Sequence, residues 1–272
     1  MRVVWITIMA TFFTQMGYFF WKMAANSIIK INTISIKDYL LSWKWLLGLI
    51  CTILGWLFFI KATDIGEISF IEPLMSAGDF LLIILAAIFL KERLTKIEYV
   101  GVLITILSAI MLSIGANEIR TSYVDWFNLS FFIILSVAFG SLLFIKSKKS
   151  KQPEVMLAFV VGIGFGVGAV LTELMTSYLR TNKMDVNSLS FIINPIFPFM
   201  LVANLLSIFL IQIAFQKGRS SVIVPIQLSV ASALSVLGGS LLFAESISTL
   251  RIISVIGIII GSVLLQRNSL TN

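Results

Sequence analysis

Glu72 and Asp79 stand seven residues apart in an apolar stretch, SFIEPLMSAGDFLLIILAAIFL (69–90). On one continuous helix that spacing is almost two turns, so both carboxylates would share a face, about 10 Å apart along the axis. A carboxylate in hydrocarbon is costly and by default marks an ion or substrate path. Asp79 falls about 12 residues into the apolar segment, about 18 Å from its start and near the middle of a bilayer. There it can exchange a proton or hold a cation. Glu173, in VLTELMTSY (170–178), is expected at outer depth with Glu67 and Glu72, where three carboxylates would form an acidic mouth that concentrates cations. Gln15, Gln212 and Gln227, with Asn204, add polar groups that can line a cavity or bond between helices.

The elements that position these residues are membrane spans. Of 272 residues 58% are hydrophobic and only 12% charged, and the mean hydropathy is +1.03, far from the composition of a soluble domain. Apolar runs long enough to cross about 30 Å of hydrocarbon recur along the chain. There is no His and one Cys, Cys51, so neither a disulfide framework nor a Cys/His zinc site can be built. An intramembrane aspartyl protease needs a second deep Asp, which Asp79 lacks. The net charge of +7 sits in connectors beside spans and gives no reason to expect a nucleic acid partner. VGIGFGVGAV (161–170) follows no strand and is no nucleotide fingerprint. Gly162 with Gly166, and Gly164 with Gly168, instead form small-residue faces for close helix packing. No cofactor is expected, and the residues leave a metal undecided.

The apolar pattern predicts an all-α polytopic membrane protein with about nine spans, near 3–21, 45–60, 67–90, 98–115, 126–145, 155–178, 198–216, 222–243 and 250–266. The first is read as a span and not as a signal peptide, because Thr11, Thr14 and Gln15 interrupt it and no A-x-A site follows. Segment 26–41 is too polar to span and is read as cytoplasmic or interfacial. With this count, fourteen of the 20 Lys and Arg fall on one side, including KSKKSK (146–151) and KERLTK (91–96). The positive-inside rule then puts the N-terminus outside and the C-terminus in the cytoplasm of the plasma membrane. Trp5, Trp21, Trp43, Trp45 and Trp126 lie near span ends, as interfacial anchors do.

An internal repeat organises the whole. ATDIGEISFIEP (62–73) and AFQKGRSSVIVP (214–225) share Ala62/Ala214, Gly66/Gly218, Ser69/Ser221 and Pro73/Pro225, all displaced by 152 residues. Residues 1–116 form a first repeat of spans 1–4. Residues 117–153 hold the linking span 5 and a basic loop, and residues 154–272 form a second repeat of spans 6–9. The odd linking span inverts one repeat relative to the other, as in secondary transporters. Pro73 and Pro225 each withdraw a helix hydrogen bond, giving symmetry-related weak points suited to gating on opposite sides. Glu92 and Glu245 close the two long helices and are read as structural; Thr95 with Glu98 fits a capping box.

The two long spans ending in KERLT and AESIST, each followed by a Gly-bearing span, resemble the drug/metabolite transporter superfamily. MGYFFWKMAAN (16–26) resembles a small multidrug resistance subunit, and the nine-span count with LKERL and the Q-x-A-F…V-P texture resembles NIPA-type magnesium transporters. Small multidrug resistance subunits carry a membrane Glu in the first span, where this chain has Thr14 and Gln15. That proton and drug site therefore does not carry over. The resemblance implies a secondary transporter of a small cation or metabolite by alternating access, and the carboxylates themselves add the expectation of proton or ion coupling through Asp79 with entry assisted by Glu72 and Glu173. The partners expected are that small-molecule or ion substrate and the lipid bilayer, with a homodimer open. A non-transporting sensor or assembly subunit is the rival reading.

Overall fold

The structure is a computed structural model that describes residues 2–28, 42–76, 78–89, 95–114, 124–182, 190–243, 245 and 247–266. Among these residues there is no strand. The helices are α1 (Arg2–Ile28), α2 (Trp43–Ile65), α3 (Ile68–Ser76), α4 (Asp79–Phe89), α5 (Lys96–Ile114), α6 (Trp126–Ser147), α7 (Pro153–Thr181), α8 (Ser190–Ile193), α9 (Phe197–Lys217), α10 (Ser220–Phe243) and α11 (Thr249–Gln266). Six of them, α1, α2, α6, α7, α9 and α10, are long and apolar enough to cross a membrane. Helix is what such sequences must form there, because every backbone N–H and C=O needs an internal partner in hydrocarbon.

Helix α7 is the packing hub, and its glycines explain why. A Cβ on Gly162 or Gly166 would run into Gln227, Val230 and Leu234 of α10, and one on Gly164 or Gly168 into Ser207 and Asn204 of α9. The two small-residue faces thus seat two different helices. Helices α1 and α2 pack by the same device, Gly17 and Gly48 on one another and Gly55 on Thr14. Helix α5 packs on α11, where Gly257 leaves room for Ser108.

The 152-residue displacement reappears in helix boundaries and hydrogen bonds. Helix α2 ends at Ile65 and α9 at Lys217, while α3 starts at Ile68 and α10 at Ser220. The intervening caps, Gly66 and Gly218, are both extended and donate to the Ala62 and Ala214 carbonyls. Next, Phe70 and Ile71 donate to the Glu67 carbonyl, as Val222 and Ile223 do to that of Arg219. A side chain at either glycine would collide with the first turn of another helix, at Val3 of α1 for Gly66 and at Glu154 of α7 for Gly218.

The segment 67–90 departs from the continuous helix expected of it. Gly78 donates to Met75 and accepts from Leu81 in tight turns, and Asp79 opens a new helix, α4. Only glycine fits at this break, since a Cβ on Gly78 would strike Thr11 of α1. Pro73, inside α3, weakens the same segment by withdrawing a hydrogen bond from the Ser69 carbonyl. Glu72 and Asp79 therefore belong to different helices and do not share one face. Trp5, Trp43 and Trp126 are exposed at helix ends, as expected, but Trp21 is fully buried and packs on Gly48. Residues 29–41, Lys91 to Arg93 and the C-terminus from Arg267 lie outside the described residues.

Candidate functional site

Between the two halves of the chain lies a cavity of about 470 Å³, lined from α1, α2, α3, α7, α9 and α10. Its two long walls are stripes at i, i+3, i+4 and i+7. On α2 they are Leu49, Thr52, Ile53 and Trp56, and on α9 Leu201, Asn204, Leu205 and Ile208. Each member of one stripe is displaced by 152 residues from its counterpart in the other. The walls are therefore corresponding surfaces of the two repeated segments.

Among the described residues Glu72 is the one carboxyl group on the lining. It is 7% exposed and directly precedes Pro73 inside α3. Around it the hydroxyl and amide groups have spent donors on their own helices. Thr52 Oγ1 donates to the Gly48 carbonyl (2.7 Å), Thr172 Oγ1 to that of Gly168 (2.8 Å) and Asn204 Nδ2 to that of Met200 (2.9 Å). What the two threonines offer the cavity is oxygen lone pairs, and Asn204 offers its carbonyl oxygen and one remaining N–H. The remaining surface is apolar and aromatic, with Tyr18, Trp56, Phe59 and Phe165.

The other sequence candidates are distributed elsewhere. Gln15, Gln212 and Gln227 are buried but off the cavity wall; among the described residues neither the Gln212 nor the Gln227 amide group has a hydrogen-bond partner. Asp79 is the first residue of α4, where the helix dipole favours an anion; its side chain lies outside the described residues. The side chain of Pro225, in α10, lies outside them too. Glu173 is buried and ion-paired with Arg180 at 2.9 Å, seven residues on along α7. Glu67 is paired with Arg251 at 2.6 Å, both deeply buried. Two carboxylates of the expected acidic mouth are thus neutralised by guanidinium groups, and Glu72 alone faces the cavity.

Arg180 and the Glu67–Arg251 pair belong to a set of contacts between the halves that the sequence reading missed. Arg180 of α7 donates to the Thr63 carbonyl at the C-terminus of α2 (3.1 Å). Lys22 of α1 donates to the Phe215 and Gly218 carbonyls at the C-terminus of α9 (2.8 and 2.7 Å). Thr63 and Phe215 are again 152 residues apart, and a cation suits the negative end of each helix. Near the first of these turns, Glu245 accepts from the Ile68 and Ser69 N–H groups with its two oxygens, capping α3. Arg251 also donates to Ser69 Oγ (2.8 Å). Burial and the neighbouring Glu67 carboxylate raise the Glu245 pKa, against the lowering effect of its hydrogen bonds to Ser69 and Ile68. The sequence signal for Arg180 was its i+7 spacing from Glu173, which puts both on one helix face.

Among the described residues no group of three or more His, Cys, Asp or Glu could hold a metal ion. The EamA-like transporter family matches residues 2–114, helices α1 to α5. The chain is 22% identical over 152 residues to a "Probable magnesium transporter NIPA9" of Arabidopsis thaliana, covering 51% of this chain and 44% of that one. It is 30% identical over 88 residues to an uncharacterized protein of Methanocaldococcus jannaschii, covering 32% of this chain and 64% of that one. The chain thus spans about half the length of the curated relatives it matches. No solved structure matches it. With its apolar helices and this match over α1 to α5, the chain is a multi-pass membrane protein similar to the EamA-like transporter family of the drug/metabolite transporter superfamily.

Proposed function

We propose that the protein is a secondary transporter that moves a small solute across the plasma membrane by alternating access. The observation that carries this is the pair of cavity walls, Leu49, Thr52, Ile53 and Trp56 against Leu201, Asn204, Leu205 and Ile208, at one constant displacement. A site built from corresponding surfaces of two repeats can be exposed to either side by rocking one against the other. Nine crossings in two inverted repeats, 1–116 and 154–272 around the linking segment 117–153, fit the order of the helices. Further support comes from the contacts: Val3, at the start of α1, lies beside Gly66, and Arg180, near the end of α7, bonds the same C-terminus of α2. Leading helices that arrive at one end of the molecule with opposite polarity are what inversion requires.

In this reading Glu72 binds the substrate, and Asp79, beyond the break, serves coupling. Glu173 acts at the entrance through its pair with Arg180, and Gln15, Gln212 and Gln227 support the walls from behind. Pro73 and Pro225 sit where the turns must flex. The Lys22 end, with Lys44, Lys146, Lys148, Lys149 and Lys217, is the cytoplasmic one by the positive-inside rule.

The likeness to a probable magnesium transporter raises Mg²⁺ as cargo. A dehydrated Mg²⁺ needs near-octahedral oxygen ligands and several carboxylates or waters, and this lining offers one carboxyl group in an apolar wall. The cavity suits an organic solute better. Proteoliposomes with a trapped pH dye and isotope uptake test the proposal. Solute-driven proton movement is expected in the wild type, loss of both signals in Glu72→Gln, and uptake without proton movement in Asp79→Asn. Full uptake in Glu72→Gln would overturn the site, and absence of any solute flux across a broad panel would favour the sensor reading.

A further inference from the structure

We infer that the cavity takes an amphiphilic amine that enters sideways from the bilayer, its ammonium group at Glu72 and its apolar body along the aromatic walls. This rests on the transporter reading for its purpose, though not for its chemistry.

Three observations carry it. The first is the sign of the polar groups. Glu72 presents a carboxyl group, Thr52 and Thr172 spend their hydroxyl protons on their own helices and face the cavity with oxygen lone pairs, and Asn204, with one amide N–H spent on Met200, adds its carbonyl oxygen. An ammonium has three donors and no acceptor, so it complements such a set, whereas a carboxylate or phosphate would meet lone pair against lone pair. Tyr18, Trp56 and Phe165 add aromatic faces that attract a cation. The second is the volume. About 470 Å³ lies in the range of pockets that enclose small organic ligands, far beyond what one metal ion fills.

The third is the mouth. Among the lining residues, those with large exposure are Ile53 (47%) on α2 and Leu201 (37%) and Leu205 (51%) on α9. On the same helices the exposed surface continues as Ile50, Leu54 and Leu57, and as Val202, Leu206 and Phe209. That surface is apolar and belongs against lipid tails. The cavity therefore opens between α2 and α9 onto the hydrocarbon. A solute that reaches it by this route must first partition into the membrane, which requires an apolar body. Toward one end the mouth is closed by Trp56 and Phe197, whose rings are 6.2 Å apart.

The test is a binding measurement on the full chain in lipid nanodiscs, reading tryptophan quenching by ω-bromodecylamine, ω-bromodecanol and ω-bromodecanoate. Trp56→Phe supplies the baseline for quenching away from the cavity. Saturable, Trp56-dependent quenching by the amine is expected, with affinity about tenfold or more above that for the alcohol and for the carboxylate. Glu72→Gln should remove the preference for the amine over the alcohol. If that variant does not fold, Thr172→Val, which removes one acceptor at near-constant shape, should weaken the amine severalfold and leave the alcohol unchanged. Leu205→Phe, which narrows the mouth, should slow the onset of quenching without changing its final level, and millimolar Mg²⁺ should not displace the amine. Equal quenching by the carboxylate, an amine preference that survives Glu72→Gln, onset unaffected by Leu205→Phe, or displacement by Mg²⁺ would each overturn the inference. Binding without flux in proteoliposomes would sink the transporter reading and leave this one standing, while flux of an unrelated solute with no amine binding would do the reverse.

Discussion

The turns at 62–73 and 214–225 have one backbone and two chemistries. Both cap a helix with an extended glycine, restart with two N–H groups on one carbonyl, and receive a cation from the other half of the chain at matching carbonyls, Thr63 and Phe215. They differ in the charge that follows the glycine, Glu67 in the first and Arg219 in the second. Around Glu67 a buried network has grown from Arg251, Ser69 and Glu245, with Arg251 only 1% exposed. The second turn is served by Lys22, bonded to carbonyls. Backbone geometry is what the repeat imposes, and the ionic dressing is where the halves differ. One end is tied by a desolvated multi-residue network, and at the other the described residues show the Lys22 ammonium on helix-end carbonyls.

If that contrast is right, the largest loss of stability comes from Arg251→Met. It strands the Glu67 carboxylate in a buried site, which costs about 3–5 kcal/mol, and Arg251→Met with Glu67→Gln should recover much of this because neither charge then remains. Cys51, the chain's one cysteine, half-buried in α2, gives the readout through a thiol-reactive dye during thermal unfolding. Lys22→Met at the opposite end removes two charge-assisted bonds to carbonyls and strands no charge, so about 1.5–3 kcal/mol is expected. A Lys22→Met loss as large as that of Arg251→Met would erase the distinction between the ends. A third comparison is steric. Gly66→Ala and Gly218→Ala should each cost about 1–3 kcal/mol through overpacking on Val3 and Glu154. Gly218→Ala should be the milder, because the flexible Glu154 side chain can give way where the β-branched Val3 cannot.

Much of this was legible in the sequence because it depends on periodicity. Apolar runs mark the helices, glycine pairs mark the faces of α7, and the 152-residue displacement marks the two matching turns. Extending that displacement to 49–56 and 201–208 would have exposed the cavity stripes as well. What stayed hidden depends on direction and distance. Leu, Ile and Phe facing a cavity are indistinguishable in composition from those facing lipid. The break at Gly78 lies where Thr11 of another helix leaves no room for a side chain. Lys22 and Arg251 read as ordinary connector or span-end charges, since their partners lie 193 and 182 residues away in the chain. Glu72 was legible because a carboxylate in an apolar run has few explanations, whereas Glu173 was legible as a buried acid but not as half of an ion pair.

The smallest effect tests the network's weakest member. Glu245 is held by two backbone N–H groups that favour its charged form, yet burial and the Glu67 charge outweigh them and raise its pKa above the usual 4.5. A carboxyl group whose pKa is higher in the folded state holds its proton more tightly there than in the unfolded chain. Its contribution to stability is then fully present below the usual value and is lost as pH rises through the raised one. Glu245→Gln keeps one carbonyl oxygen for Ile68 or Ser69 and cannot ionise, so it should lose about 1 kcal/mol at low pH, where its amide N–H₂ meets the second backbone donor. Above pH 4.5 the gap between wild type and variant should narrow, because the wild type alone forfeits stability there. A gap that widens with pH would mean that the ionised carboxylate is the favoured capping species at this turn, and that its two backbone bonds outweigh burial and the nearness of Glu67.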